Sequence, residues 1–188
     1  MTGFGKYLLT CASLAVAVLP VWLAVTLLPD QGGLRIKNTS VDTVAETINL
    51  FKEMGFHGST LDYSHRSNSY LNEVIDDREG LPITLSVLFI ELANRLDLPV
   101  TGLGLPGHFI AMYRETKPQG SDKKAKEILI DPFGGKIVSR KEAAELTGYP
   151  LSAEDFEPAR KRDIITRMLR NLIRSAEQDR DSKARLRY

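Results

Sequence analysis

One cysteine, Cys11, among 188 residues removes several chemistries at once. No internal disulfide can form, and there is no second thiol from which to build a CxxC redox pair or a cysteine-based zinc site. Three histidines, His57, His65 and His108, offer little to a metal, since none stands at the i, i+4 spacing that places two ligands on one helix face. An excess of charge is missing too. With 25 basic and 24 acidic side chains the net charge is +1, so no field over the whole molecule points to nucleic acid or to an acidic substrate. Internal repeats and low-complexity tracts are absent, and no cofactor is expected.

Charge is missing most completely from "YLLTCASLAVAVLPVWLAVTLL", residues 7–28, a run of 22 positions without a charged side chain. A bilayer core needs about 20 apolar residues at 1.5 Å rise each, so residues 1–29 are expected to form an N-terminal transmembrane helix that localises the protein to a membrane. A cleaved signal peptide is one alternative. A cut after Ala15-Val16-Ala17 would leave "VLPVWLAVTLLP" on the mature chain, and near Ala24 the residue three before the cut is Trp22. A buried soluble helix is the other, and it would have to absorb Pro20, which membrane spans tolerate better. Lys6 on one side against Arg35 and Lys37 on the other leaves orientation open. Cys11 lies inside this run and cannot easily serve a distant polar site.

Residues 30–40, "DQGGLRIKNTS", are a polar linker whose Asn38 sequon is too common a pattern to locate a protein. Beyond it, about 150 residues suffice for one domain with a real core. We place that core over residues 41–150 and a helical extension over 151–188. Val44, Ile48 and Phe51 recur at helical spacing, predicting a helix from Val41 to Met54 that ends at Gly55, with Ser40 or Asp42 as its cap. "FHGSTLDYSHRSNSYL" is expected to be loop, followed by a short helix in "YLNEVIDDR". "PITLSVLFIELANRL", Pro82 to Leu96, is apolar on nearly every face and opens with proline, which suits a first helical turn. Such a helix belongs at the centre of the domain. Strands "VTGLGL", "HFIAMY" and "EILID" follow, with the loop "RETKPQGSDKKAK" between the last two, and then helices over Arg140–Thr147 and Pro158–Asp179.

The last two strands support a geometric expectation. If they form an antiparallel hairpin turning between Gln119 and Gly120, Met112 faces Glu127, Ile110 faces Leu129 and His108 faces Asp131. Opposed residues on one face have Cβ atoms about 4.5–5.5 Å apart. A carboxylate beside an imidazole fixes its tautomer, the orienting role that aspartate plays in catalytic triads. The plainer alternative is a satisfied core histidine and an aspartate capping the turn made by Pro132, Gly134 and Gly135. The register matters, because a slip of one residue would send the two side chains to opposite faces.

Taken together, "NSYLNEVIDDREGLPITLSVLFIELANRLDLPVTGLGLPGHF", "ILIDPFGG" and "RDIITRMLRNLIR" resemble the SirB-type family of transglutaminase-like domains over roughly residues 42 to 175. The resemblance implies an α+β, papain-like fold in which a buried central helix packs on a small antiparallel sheet. Enzymes of that type set a nucleophilic cysteine at the N-terminus of the central helix, where dipole and free N–H groups stabilise thiolate and oxyanion. Laid over the general Gly-x-Cys and Gly-Ile-Pro pattern, Gly80-Leu81-Pro82 falls on the first triplet and Asp97-Leu98-Pro99 on the second. His108 and Asp131 then match the catalytic His and Asp, vestigial or water-activating, while Pro82 occupies the place of the nucleophile.

Thr84 and Ser86 are the nearest hydroxyls. Thr84 lies about 200° around the helix from Pro82, and Ser86 one turn deeper on its face; both are expected to bond backbone carbonyls. His65, Arg66 and Asn68 precede the central helix and are either cleft-lining residues or an exposed polar loop. His57 has no identifiable partner, and a metal site joining it to His65 and His108 lacks the usual spacing. From Glu157 to Tyr188 there are 10 basic and 5 acidic side chains, net +5, without the interleaved aromatics that stack bases. Nucleic acid is therefore not expected; a protein or peptide partner at the cleft or the C-terminal helices is. In related proteins this region leads into tetratricopeptide-type helices, of which too little sequence is present here for one repeat. The expected function is a membrane-anchored, non-catalytic binding or scaffolding module, with a cysteine-less hydrolase or amide-bond enzyme built on His108 and Asp131 as the alternative.

Overall fold

In the computed structural model, which describes residues 41–115 and 125–178, the first periodic segment forms helix α1 (Val41–Glu53) and buries Val44, Ile48 and Phe51. A two-residue strand β1 (His57–Gly58), a 3-10 turn (Arg66–Ser69), helix α2 (Leu71–Asp77) and strand β2 (Glu79–Gly80) follow. β1 pairs in parallel with β2. The loop expected over residues 56–71 therefore contains a strand and a helical turn, because serine, asparagine and glycine made its composition read as irregular.

Helix α3 (Pro82–Arg95) begins on proline at its first position, where a missing N–H costs no intrahelical bond. It sits at the centre, as its all-round apolarity predicts. Leu85, Phe89, Leu92 and Ala93 pack with α1 residues and one face of a sheet, and Phe89 meets Phe51 edge to face with ring centroids 5.6 Å apart. Its N-terminal part packs elsewhere: Leu81, Ile83 and Phe109 form a cluster with Ile164 and Met168 of helix α5 (Lys161–Gln178).

Strands β3 (Val100–Leu103), β4 (Ile110–Arg114), β5 (Glu127–Asp131) and β6 (Lys136–Val138) form one antiparallel sheet in that order. Val100, Ala111, Tyr113, Ile128 and Ile130 face α3. Leu103, Ile110, Met112, Leu129 and Val138 face the other way, onto Ala143 of helix α4 (Arg140–Thr147) and Phe156 of a second 3-10 turn (Glu154–Phe156). With both faces covered, β4 is apolar on consecutive positions and shows no in-out alternation. This is the α+β arrangement of a central helix on a small antiparallel sheet.

The hairpin register corrects the sequence expectation. Met112 lies opposite Leu129 and Ala111 opposite Ile130, two residues away from the expected partners. β4 also begins at Ile110, so His108 precedes the strand, and β6 adds an edge that was not expected. The residues that turn the hairpin, and with them the uncharged run 7–28 and the linker, lie outside the described residues. Among the described residues no helix is long and apolar enough to cross a membrane.

Helix α4 starts on a reciprocal cap. The Glu142 N–H donates to Ser139 Oγ at 3.2 Å, and the Ser139 N–H donates to Glu142 Oε2 at 2.7 Å. These bonds, the one from the Ser139 backbone foremost, hold the Glu142 carboxyl below its ordinary value. A depressed folded-state value means that the contribution is full above the unfolded pKa and is lost as pH falls through the folded one. Glu142→Gln should therefore lower the melting temperature at pH 7, and the gap from the parent should close on acidification below the ordinary glutamate range, as followed by circular dichroism.

Candidate functional site

The residues 104–107, Gly-Leu-Pro-Gly, deliver His108 to its place. Gly107 adopts φ +67°, a conformation open to glycine at little cost, and the His108 N–H donates to the Leu105 carbonyl at 3.3 Å, closing a tight turn ahead of β4. Asp131 ends β5. Although the register differs by two residues and His108 lies ahead of β4, the imidazole still reaches Asp131. His108 Nε2 donates to Asp131 Oδ1 at 3.1 Å.

This bond sets the chemistry of the ring. In the neutral ring, Nε2–H toward the carboxylate leaves the lone pair on Nδ1, and Nδ1 has no protein hydrogen-bond partner among the described residues. Asp131 is 1% exposed, whereas the His108 side chain keeps 11% of its surface. The Phe133 ring stands edge-on to the imidazole at 6.0 Å. Gly134 allows the carboxylate its position, since a Cβ there would lie 2.5 Å from Asp131 Oδ2.

A cleft of about 880 Å³ opens over this pair. Pro82 and His108 both line it, and Asp131 stands behind the imidazole, outside the lining. One wall is helix α5, which presents Arg167, Arg170, Asn171 and Arg174. Arg167 is braced: its Nη1 donates to the Leu105 carbonyl at 2.9 Å, and its guanidinium lies 5.7 Å from the Phe109 ring centroid. Burial pulls this guanidinium below its ordinary range, partly opposed by Tyr63. Across the cleft, burial raises the Tyr63 phenol, while Arg167 and Arg174 act in the opposite sense. Sequence reasoning passed over this wall and Tyr63, although the spacing of Arg167, Arg170 and Arg174 was a readable signal of one helix face.

The other candidates separate. Thr84 Oγ1 donates to the carbonyls of Asn68 (2.9 Å) and Leu81 (3.0 Å), and Ser86 Oγ donates to that of Phe109 (3.1 Å). Both hydroxyls are buried and committed to backbone. His65 does line the cleft, but its Nδ1 accepts from the Ser67 hydroxyl at 2.5 Å and caps the 3-10 turn. Asn68 is buried behind the cleft, donating to Ser59 Oγ at 3.1 Å and the Asp62 carbonyl at 2.7 Å, and Arg66 is not part of the lining. His57 is exposed on β1, away from the other two histidines' cleft. Among the described residues no three His, Cys, Asp or Glu side chains gather as metal ligands would.

A central helix beside a cleft, with a histidine just ahead of one strand and a buried aspartate at the end of the next, is consistent with a class that the sequence comparison shows. The profile of the transglutaminase-like superfamily matches residues 30–170, and the chain belongs to that superfamily. It is similar to the UPF0162 protein of Xylella fastidiosa (strain 9a5c), with 36% identity over 133 residues, 65% of this chain and 44% of that protein. The UPF0162 protein of Vibrio cholerae is 28% identical over 91 residues, covering 48% of this chain and 31% of that protein. F-box only protein 21 of Mus musculus is 29% identical over 133 residues, 69% of this chain and 21% of its own length. The chain thus spans less than half the length of these relatives. No solved structure matches it.

Gly134→Ala tests the packing behind the pair. The short, buried Asp131 carboxylate cannot swing aside, so the variant should lose about 1–3 kcal/mol of stability in urea unfolding. It should also lose the single Nε2–H tautomer of His108 in a nitrogen-15 NMR spectrum of the imidazole, an outcome shared with Asp131→Ala.

Proposed function

We propose that this chain is a SirB-type transglutaminase-like protein whose domain is a non-catalytic binding module, tethered to a membrane by residues 7–28. The observation that carries the reading is Pro82, the residue at the first position of α3 and on the lining of the cleft that His108 also lines. A thiolate at that position would draw on the helix dipole and on the imidazole. Proline has no nucleophilic atom and no N–H. Thr84 and Ser86 do not replace it, because each is buried and already donates to backbone carbonyls. What is left is a shaped cleft with an oriented histidine, suited to holding a protein or peptide segment.

A second reading is favoured by one specific observation, the unpartnered Nδ1 of an imidazole open to the cleft. Such a nitrogen can take a proton from water, with Asp131 orienting the ring and stabilising the imidazolium. The protein would then be a cysteine-less hydrolase. Cleavage of a fluorescent casein substrate that disappears in His108→Ala would favour this reading; equal, background turnover by parent and variant favours the binding module.

Two measurements test the proposal. In the full chain carrying Cys11→Ser, Pro82→Cys should alkylate rapidly with iodoacetamide between pH 6 and 7, because dipole and imidazole together lower the thiol pKa from about 8.5. Adding His108→Ala should slow the reaction and shift its profile upward; identical profiles would mean that residue 82 does not face His108. For the tether, the parent chain should stay with membranes through an alkaline carbonate wash, and its recovery in the supernatant would remove the spanning segment from the reading.

A further inference from the structure

The wall opposite the histidine is basic in a way that the whole chain is not. Arg167, Arg170 and Arg174 share one face of α5, within an arc of about 60° and over about 10 Å of helix, and all three line the cleft. Among the described residues none of them has an ion-pair partner, whereas Arg95, Arg114, Arg140 and Arg160 are each paired, Arg160 with Asp163 at 2.8 Å and Arg140 with Glu127 at 3.0 Å. Arg167 spends one donor on the Leu105 carbonyl and keeps the rest of its fork. Ser175 Oγ, one residue beyond Arg174, donates to the Ser64 carbonyl at 3.3 Å and ties the wall to the opposite rim. The helix that carries these cations is thereby fixed along the cleft, with Arg167 braced and Arg170 and Arg174 exposed.

We infer that the cleft takes an extended acidic peptide segment, its carboxylates read by Arg167, Arg170 and Arg174 while its backbone passes Pro82 and His108. The inference rests on the reading of this cleft as a binding site. Same-side residues of an extended chain recur at about 6.7 Å, close to the ~6 Å of helix rise between Arg170 and Arg174. Planar guanidinium groups bind carboxylates in pairs of parallel hydrogen bonds. A nucleic acid fits less well. Asp155 and Asp163 share the cleft and would repel a uniformly charged phosphate backbone, whereas a peptide can set neutral residues there. Stacking platforms are also few among the described residues, since Phe109 is buried and Tyr63 and His65 supply the exposed rings of the lining. Exposed Pro106 and half-buried Ala159 offer apolar surface for the peptide's alternate side chains.

Fluorescence anisotropy tests this with a fluorescein-labelled peptide of alternating leucine and glutamate, its leucine–glutamine counterpart, and a labelled ten-nucleotide oligouridylate, all against the full chain. The glutamate peptide should bind, and the glutamine peptide should bind at least about tenfold more weakly. Arg170→Gln and Arg174→Gln should each weaken the glutamate peptide by a similar factor, while Lys141→Gln, the same charge change on exposed α4, should leave it unaltered. Circular dichroism spectra matching the parent would establish that the variants fold. Preference for the oligouridylate, equal binding of both peptides, equal losses at Lys141 and Arg174, or no binding of the glutamate peptide at 1 mM would each overturn the inference. The result is separable from the reading of Pro82. If thiol alkylation at position 82 responds to His108 and the glutamate peptide does not bind, the assignment of ligand class fails and the overlay of the site stands; the converse pair of results reverses that conclusion.

Discussion

Helix α3 is apolar on almost all sides, and a helix of that kind has to be enclosed. Burying Leu85, Phe89 and Leu92 requires α1 and the sheet on one side, and burying Leu81 and Ile83 requires α5 on the other. At about 25 cal/mol for each Å² of apolar surface removed from water, that enclosure is the dominant favourable term available to a domain of this size. The same constraint creates the cleft. The start of α3, with Leu81, Pro82 and Ile83 all buried, borders that cleft beside α5 and the loop that carries His108.

The histidine and aspartate sit at the edge of this enclosure and differ in exposure. Asp131 is nearly sealed and makes its bond to Nε2; His108 retains a face toward the cleft. A buried carboxylate is costly unless it is hydrogen-bonded, so an arrangement of this kind has to be maintained by its surroundings. The side-chain-free Gly134 and the tight turn at Gly107 are those surroundings. Pro82 lines the same cleft as His108, at the first position of α3.

Electrostatics tell a parallel story at two scales. Summed over the chain, basic and acidic groups nearly cancel. Resolved onto the fold, cations concentrate on the α5 face that looks into the cleft, while several of the acidic groups are absorbed by exposed pairs such as Arg140 with Glu127. Exposed pairs of this sort contribute little stability. Their consequence is to leave the guanidinium groups over the cleft unneutralised.

Much of the architecture was legible in the residues themselves. The spacing of Val44, Ile48 and Phe51, the apolar stretch after Pro82, and the capped segment from Arg140 each specified a helix within a residue or so of its observed bounds, because local periodicity and end signals carry that information. The joint occurrence of the "GLPGHF" and "ILIDPFGG" motifs identified His108 and Asp131 as a pair, and the structure brings them within 3.1 Å although His108 lies in the turn ahead of its strand. The pairing register was not legible, since a long loop leaves the turn centre unspecified and shifts by even numbers look alike from sequence. Nor was β6, or the β1–β2 contact, whose residues become strands only by finding distant partners. Tertiary structure alone decided that α5 lines the cleft, because the sequence shows which arginines share a helix face and says nothing of what that face looks upon.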